Sequence, residues 1–324
     1  MVLSSMNTVD LTPAAQRLAD LVARVRDDEL GKPTPLPAYT LGDLIEHVGV
    51  MALAFAAAAS KDLGSPYVRQ APAGDASRLG ALVADGARVT VAVDSPATVH
   101  AAQQAGLREV LVDVNVGLPR CGCSPDDASS LAELARGAGL DVRGVMGYEG
   151  HTMLVRDRAD RARKVAESMA LLEQAHDAVG GPVRSAGGTG SWDLNTSATE
   201  LQAGSYALMD TAYAAIGLPF GQALTIVATV VSVNQNGWAV ADCGLKALGM
   251  DQGKPSLANG SAVLRLSDEH LVFSPPEGGS LPSVGDRVRV LPAHIDPTVA
   301  YHERLYLVEE DRVLEAWPVD LRGW

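Results

Sequence analysis

Cysteine is nearly absent from this chain of 324 residues. The three present, Cys121, Cys123 and Cys243, form no CxxC pair and leave one odd, which argues against a disulfide framework and suits a reducing compartment. Basic residues are also short: 26 Lys and Arg stand against 39 Asp and Glu, a formal net charge of −13. Binding nucleic acid needs a basic face to neutralise phosphates, so that class is set aside. The opening MVLSSMNTVD has no basic stretch leading into an apolar one, so no secretion leader is expected. The Ala-rich stretch 48–59 is shorter than the roughly 20 residues of a membrane span and continues an amphipathic helix. A cytoplasmic protein with no membrane partner is expected. Tandem repeats are lacking too.

What is there reads as a folded protein. Hydrophobic residues make up 47% and charged ones 20%, outside the range of disordered chains. At roughly 100–200 residues per domain, two or three units are expected.

The texture changes twice along the chain. Residues 12–27 carry Ala14, Leu18, Leu21, Val22 and Val25 at helical spacing, with Thr12 as N-cap before Pro13. A Pro-rich turn, 32–39, leads to a second helix whose apolar stripe is Leu41, Leu44, Ile45, Val48, Ala52 and Phe55. Residues 64–80, rich in Gly and Pro, read as a linker. From residue 81, β-rich runs at 89–93, 110–116, 142–148, 182–185 and around Tyr206 alternate with helices at 96–105, 126–137 and 156–179. Such alternation predicts βα units and a parallel sheet. About five units are present, where a closed barrel uses about eight. After Leu224 short β-runs follow without helices: 225–233, 238–241, 263–266, 287–291 and 304–308, an antiparallel β-domain. The expected fold is α/β, an incomplete (β/α) barrel over 81–224, the β-domain over 225–324 and a helical segment over 1–80.

Four motifs carry candidate chemistry. VDVNVGLPRCG (112–122) puts Arg120 just past the C-terminal end of a strand, where barrel sites lie. GYEGH (147–151) does the same with Tyr148 and His151. RSAGGTGSW (184–192) is a glycine-rich turn whose backbone N–H groups and hydroxyls suit a phosphate. In LPAHIDP (291–297), strand-like alternation places His294 and Asp296 on one side, a nitrogen and a carboxylate suited to Zn or Mn.

In this order the motifs resemble the D-threonine aldolase and D-serine dehydratase-like family of pyridoxal-phosphate enzymes. VAVDS (91–95), LQAGSYALMD (201–210), VADCGLKALGMDQG (240–253), DEH (268–270) and VGDRVRVLPAHIDPT (284–298) extend the resemblance from about Val89 onward. An Asp two residues after the His is more similar to the aldolase branch than a Cys would be. The resemblance implies an alanine-racemase-type barrel and a lyase that cleaves D-3-hydroxy amino acids to glycine and an aldehyde. It implies that Arg120 and Tyr148 are catalytic-site residues beside the cofactor ring. Ser185, Gly187, Gly188, Thr189 and Tyr206 would hold or border the cofactor phosphate. His294 and Asp296 would ligate a divalent metal such as Mn or Zn that orients the substrate β-hydroxyl. The cofactor is the electron sink, and the protein supplies orientation. The expected partner is a small D-amino acid.

One family feature is missing. The cofactor-carrying lysine lies on the first barrel strand of such proteins, inside an Arg-Pro-His…Lys-Thr run that does not occur here. The only lysines are Lys32, Lys61, Lys164, Lys246 and Lys254. Residues 8–80 are instead similar to the start of mycothiol-dependent maleylpyruvate isomerase-like helical bundles, in which His47 would be one metal ligand. Later bundle helices are absent, so His47 defines no site by itself. The expected result is an open half-barrel, its gap covered by the N-terminal helices or by a second copy of the chain as a homodimer. A non-catalytic remnant, or a fusion protein that binds metal or cofactor, is the alternative to the aldolase.

Overall fold

The computed structural model describes residues 2–4, 76–310 and 312–320. The two expected N-terminal helices, His47, Lys32 and Lys61 lie outside the described residues. The described chain divides into two units, one of residues 76–153 and Ala159–Gln202, the other of residues 2–4, Leu154–Arg158 and 203–320.

The first unit is a parallel sheet of five strands: β2 (Thr90–Val93), β3 (Glu109–Asp113), β4 (Asp141–Gly147), β5 (Val183–Ala186) and β6 (Glu200–Leu201), in that spatial order. Helix α1 (Ala76–Ala84) precedes it, and α2 (Pro96–Gln104), α3 (Ala128–Gly137) and α4 (Arg158–Val179) follow β2, β3 and β4. Each helix starts or faces inward for a readable reason. Ser95 and Thr98 exchange side-chain-to-backbone bonds in a capping box at α2, with Pro96 in the first turn. On α4, Val165, Met169, Leu172, Ala175 and Val179 recur every three or four residues and are buried. They meet Val110, Val112 and Val145 of the sheet in one core. Burying side chains of this size stabilises by about 1.5–3 kcal/mol each. At the opposite, N-terminal end of the strands Glu109 accepts bonds from Arg88 Nε (2.8 Å), Thr90 Oγ1 (2.8 Å) and Arg143 Nη1 (2.5 Å), tying β2, β3 and β4 together.

Among the described residues no further strand joins this sheet, which forms an open run of five. The expected fifth strand is displaced. It is Glu200–Leu201, whereas Tyr206 sits in a 3-10 turn, Ser205–Ala207. The chain leaves the sheet direction after Leu201, before Tyr206 is reached.

The second unit is a nine-stranded sheet: β1 (Val2–Ser4), β7 (Leu224–Asn234), β8 (Trp238–Ala241), β9 (Ser256–Leu257), β10 (Ala262–Leu266), β11 (Leu271–Ser274), β12 (Arg287–Leu291), β13 (Arg304–Glu309) and β14 (Arg312–Pro318). It is antiparallel except where β1 runs parallel to β13, a pairing nothing in the local sequence announces. The long β7 pairs with β1, β8 and β12. Two short helices, α5 (Thr211–Ala214) and α6 (Ile295–Ala300), complete the unit. Its main core gathers Ile226, Val230, Leu248, Leu271, Phe273 and Val290. No helix among the described residues is long and apolar enough to cross a membrane.

Candidate functional site

In the parallel unit, the loops after β3, β4 and β5 meet at the C-terminal ends of the strands. The Arg120 guanidinium lies 5.2 Å from the centre of the Tyr148 ring, a cation–π contact between two of the expected site residues. Gly117 approaches His151 so closely that an added Cβ would lie 3.0 Å from the imidazole, and its φ of +117° also favours glycine. Asp113, at the end of β3, has its carboxyl pushed up to about 6, first by burial and then by the charge of Asp94, against the pull of Arg120.

The glycine-rich turn is packed from below by the loop after β4. Glu149 is wholly buried and accepts bonds from Gly187 N (3.0 Å), Ser191 Oγ (2.8 Å) and Asn195 Nδ2 (3.1 Å). Gly188 N donates to Ser191 Oγ at 3.2 Å. Two N–H groups expected to face a phosphate are therefore spent inside the protein. Ser185 Oγ donates to Glu200 at 2.5 Å and accepts from Gln202 Nε2 at 3.0 Å; Thr189 is buried. The glycines themselves answer to Met153: a Cβ on Gly188 would lie 2.7 Å from its sulfur, and one on Gly190 2.1 Å from its backbone oxygen.

In the second unit the sheet strand β12 ends at Leu291, so His294 and Asp296 do not alternate along a strand as the sequence predicts. His294 is the N-cap of α6 and Asp296 lies in its first turn. Pro292, which cannot donate to a strand ladder, marks the end of the sheet strand. The two side chains still meet, His294 Nε2 standing 3.2 Å from Asp296 Oδ2. The other ring nitrogen, Nδ1, is 2.7 Å from Asp251 Oδ2. The hydrogen bond to Asp296 is the largest influence raising the His294 pKa; burial opposes it, and Asp251 adds to the rise. In turn His294 holds the Asp296 carboxyl below its usual range, helped by a bond from the Ser205 hydroxyl. Asp210, wholly buried, accepts from Tyr213 N (2.8 Å) and Ile295 N (3.2 Å) and so fixes the start of α6. Tyr206 belongs to this unit, is 43% exposed and lies 5.4 Å from the Phe220 ring.

A divalent ion fits the His294–Asp296 pair. An imidazole nitrogen and a carboxylate oxygen converge there, and Asp296 is exposed enough for water to complete the shell. Asp251 approaches the opposite nitrogen, and among the described residues no group of three or more His, Cys, Asp and Glu side chains converges on one ion. Among the described residues pyridoxal phosphate finds no lysine anchor. Among the described lysines, Lys164 is paired with Asp160 on α4, Lys246 with Glu269, and Lys254 is exposed in the loop before β9.

Glu149 and Asp251 escaped the sequence argument although both lie inside recognised motifs. A single Glu in GYEGH shows nothing of its burial, and the partner of Asp251 is 43 residues away.

Comparison with known proteins agrees with this architecture. The alanine racemase N-terminal domain model matches residues 19–211, and the serine dehydratase domain model matches 223–308. The first match begins inside the segment whose sequence resembles the mycothiol-dependent bundles, and these matches lend that resemblance no support. A D-threonine aldolase of Arthrobacter sp. is 34% identical over 265 residues, covering 74% of this chain and 68% of that protein. A 3-hydroxy-D-aspartate aldolase of Paracoccus denitrificans (strain Pd 1222) is 33% identical, covering 76% of this chain and 70% of that one. The crystal structure of D-threonine aldolase from Filomicrobium marinum superposes with a TM-score of 0.72 at 32% identity, over 76% of this chain and 73% of that one. With these matches, an alanine-racemase-type parallel unit and a β-domain that carries the His294–Asp296 contact, the chain belongs to the D-threonine aldolase and serine dehydratase-like family.

Proposed function

We propose that the chain acts on D-3-hydroxy amino acids as an aldolase-type lyase, releasing glycine and an aldehyde, with a divalent ion such as Mn or Zn held by His294 and Asp296. The contact of His294 Nε2 with Asp296 Oδ2 carries this reading, because it joins the two donors that the family resemblance assigns to the metal. An ion held there supplies Lewis acidity and an anchor for the β-hydroxyl of the substrate. His294 presents a nitrogen, Asp296 a charged oxygen, and Ser205 steadies that carboxylate. In the parallel unit, Arg120 and Tyr148 are proposed to border the family's cofactor ring, and Ser185, Gly187, Gly188 and Thr189 its phosphate.

The family's cofactor is pyridoxal phosphate, an electron sink for the carbanion of such a cleavage. No described lysine lies on a strand of the parallel sheet, so no step is assigned through the cofactor here. That observation favours a second reading, a non-catalytic family member that binds the metal. The proposed domain limits are 1–80, 81–224 and 225–324, with a cytoplasmic location.

Incubating the protein with pyridoxal phosphate, Mn²⁺ and D-threonine tests the first reading. Release of glycine with acetaldehyde, abolished by Asp296→Asn, is the expected result. Metal binding without any glycine would leave the second reading standing.

A further inference from the structure

The His294 ring is gripped on both nitrogens, and the two grips differ in kind. Asp296, on the same turn of chain, faces Nε2 at 3.2 Å. Asp251, in the connection between β8 and β9, faces Nδ1 at 2.7 Å.

The loop that carries Asp251 is fastened to the His294 segment by contacts independent of the carboxylate. Gly249 forms an isolated antiparallel bridge with His294. Its N–H donates to Thr298 Oγ1 at 2.9 Å, and that hydroxyl donates to His294 O at 2.6 Å. A Cβ on Gly249 would stand 2.4 Å from the Pro297 ring carbon Cγ and 3.1 Å from His294 O, so the two segments are in close contact there. Just past the end of α6, His302 Nε2 meets Ala247 O at 3.0 Å. Asp251 is thus delivered to Nδ1 by backbone fixed at Ala247 and Gly249, just ahead of it.

Such a placement has a chemical consequence. A neutral imidazole that donates through Nδ1 to a carboxylate keeps its proton there, so that Nε2 can present its lone pair to an ion in place of the hydrogen bond to Asp296. The same bond stops rotation about the ring axis, so Nε2 is aimed at Asp296.

We infer that Asp251 is the positioning residue of the metal pair: it holds His294 in the Nδ1–H form and aims Nε2 at the ion-holding point beside Asp296. This rests on the metal reading proposed above. Asp251 touches no ion in this scheme; it acts through His294. The Asp251 side chain is 59% exposed, and exposed pairs add little to stability, so its removal leaves the fold intact.

The test uses the full chain and four variants: Asp251→Ala, Asp251→Asn, Asp296→Asn and, as an exposed control on the same connection, Lys246→Gln. Two quantities are read. Calorimetry gives the affinity for Mn²⁺, and long-range ¹H–¹⁵N spectra of the metal-free protein, at a pH where His294 is neutral, give its tautomer. Asp251→Ala is expected to weaken Mn²⁺ binding about 10–100-fold and to shift His294 toward the Nε2–H form. Asp251→Asn, which keeps an acceptor oxygen, restores the tautomer and part of the affinity. Lys246→Gln binds like the parent. If Asp251→Ala binds Mn²⁺ like the parent while Asp296→Asn does not, the inference is overturned and the metal reading survives. An unchanged tautomer in Asp251→Ala overturns it as well. If the parent itself binds no Mn²⁺, the metal reading fails and the inference falls with it.

Discussion

Glu149 and Gly187 are joined across neighbouring loops by a 3.0 Å bond from the glycine N–H to a carboxylate with no solvent exposure. A buried carboxylate is costly unless its lone pairs are met, and here Ser191 and Asn195 supply the remaining donors. The glycine-rich turn is therefore shaped from inside by one acidic residue of the preceding loop.

Removing that residue should be expensive. Glu149→Ala strands three buried donors, each worth on the order of 1–3 kcal/mol, so a loss of about 3 kcal/mol or more is expected in urea unfolding. Glu149→Gln, which keeps one acceptor oxygen, should lose less. A change below about 0.5 kcal/mol in the alanine variant would show that water replaces the carboxylate.

The two glycines facing Met153 should respond unequally. At Gly188 a new Cβ meets the Met153 sulfur, and a methionine side chain can move aside; at Gly190 it meets the backbone oxygen, which cannot. Gly188→Ala is expected to cost about 1 kcal/mol and Gly190→Ala about 3 kcal/mol. Equal thermal midpoints for the two variants would contradict this.

His294 gives the pH dependence a definite sign. Its native pKa is raised above the ordinary 6.5, chiefly by the bond to Asp296. A raised pKa stabilises the fold fully below the unfolded value, and that stabilisation is lost as pH rises through the native one. The midpoint gap between the parent and His294→Gln, measured with a chelator present, should be largest below about pH 6.5 and shrink above the native pKa. A gap that widens with rising pH would refute the assignment.

Borohydride reduction after incubation with pyridoxal phosphate is expected to leave the intact mass without a stoichiometric adduct. Lys164 and Lys246 are held by carboxylates on exposed surfaces, and Lys254 sits in an exposed loop. Quantitative labelling of a single lysine, with loss of glycine release when that lysine is replaced, would establish an anchor after all.

The elements of this fold were legible wherever periodicity and punctuation agreed. Thr90–Val93, Ala128–Gly137 and Trp238–Ala241 are found close to where alternation, helical spacing and turn residues put them. The two-residue strand Glu200–Leu201 was not, because two residues cannot display a period. Nor was the seating of Val2–Ser4 beside Tyr306–Val308, since a pairing across the whole chain leaves no local mark. The candidate site followed the same division. Arg120, Tyr148, His294 and Asp296 could be named from motifs, whereas their orientation depended on tertiary neighbours. A helix start at His294 and a carboxylate arriving from β8–β9 are decided by packing.

The strand β7 belongs to three ladders at once, to β1 through Leu224–Thr225, to β12 through Ile226–Thr229 and to β8 through Val230–Asn234. A bulge between Val230 and Ser232 lets the strand turn from one set of partners to the other, with Val231 turned toward solvent. Releasing β7 would therefore release all three ladders together. Its amides should exchange with solvent only through opening of the whole sheet, which makes this strand the slowest-exchanging stretch and the natural reporter of the unit's cooperative unfolding.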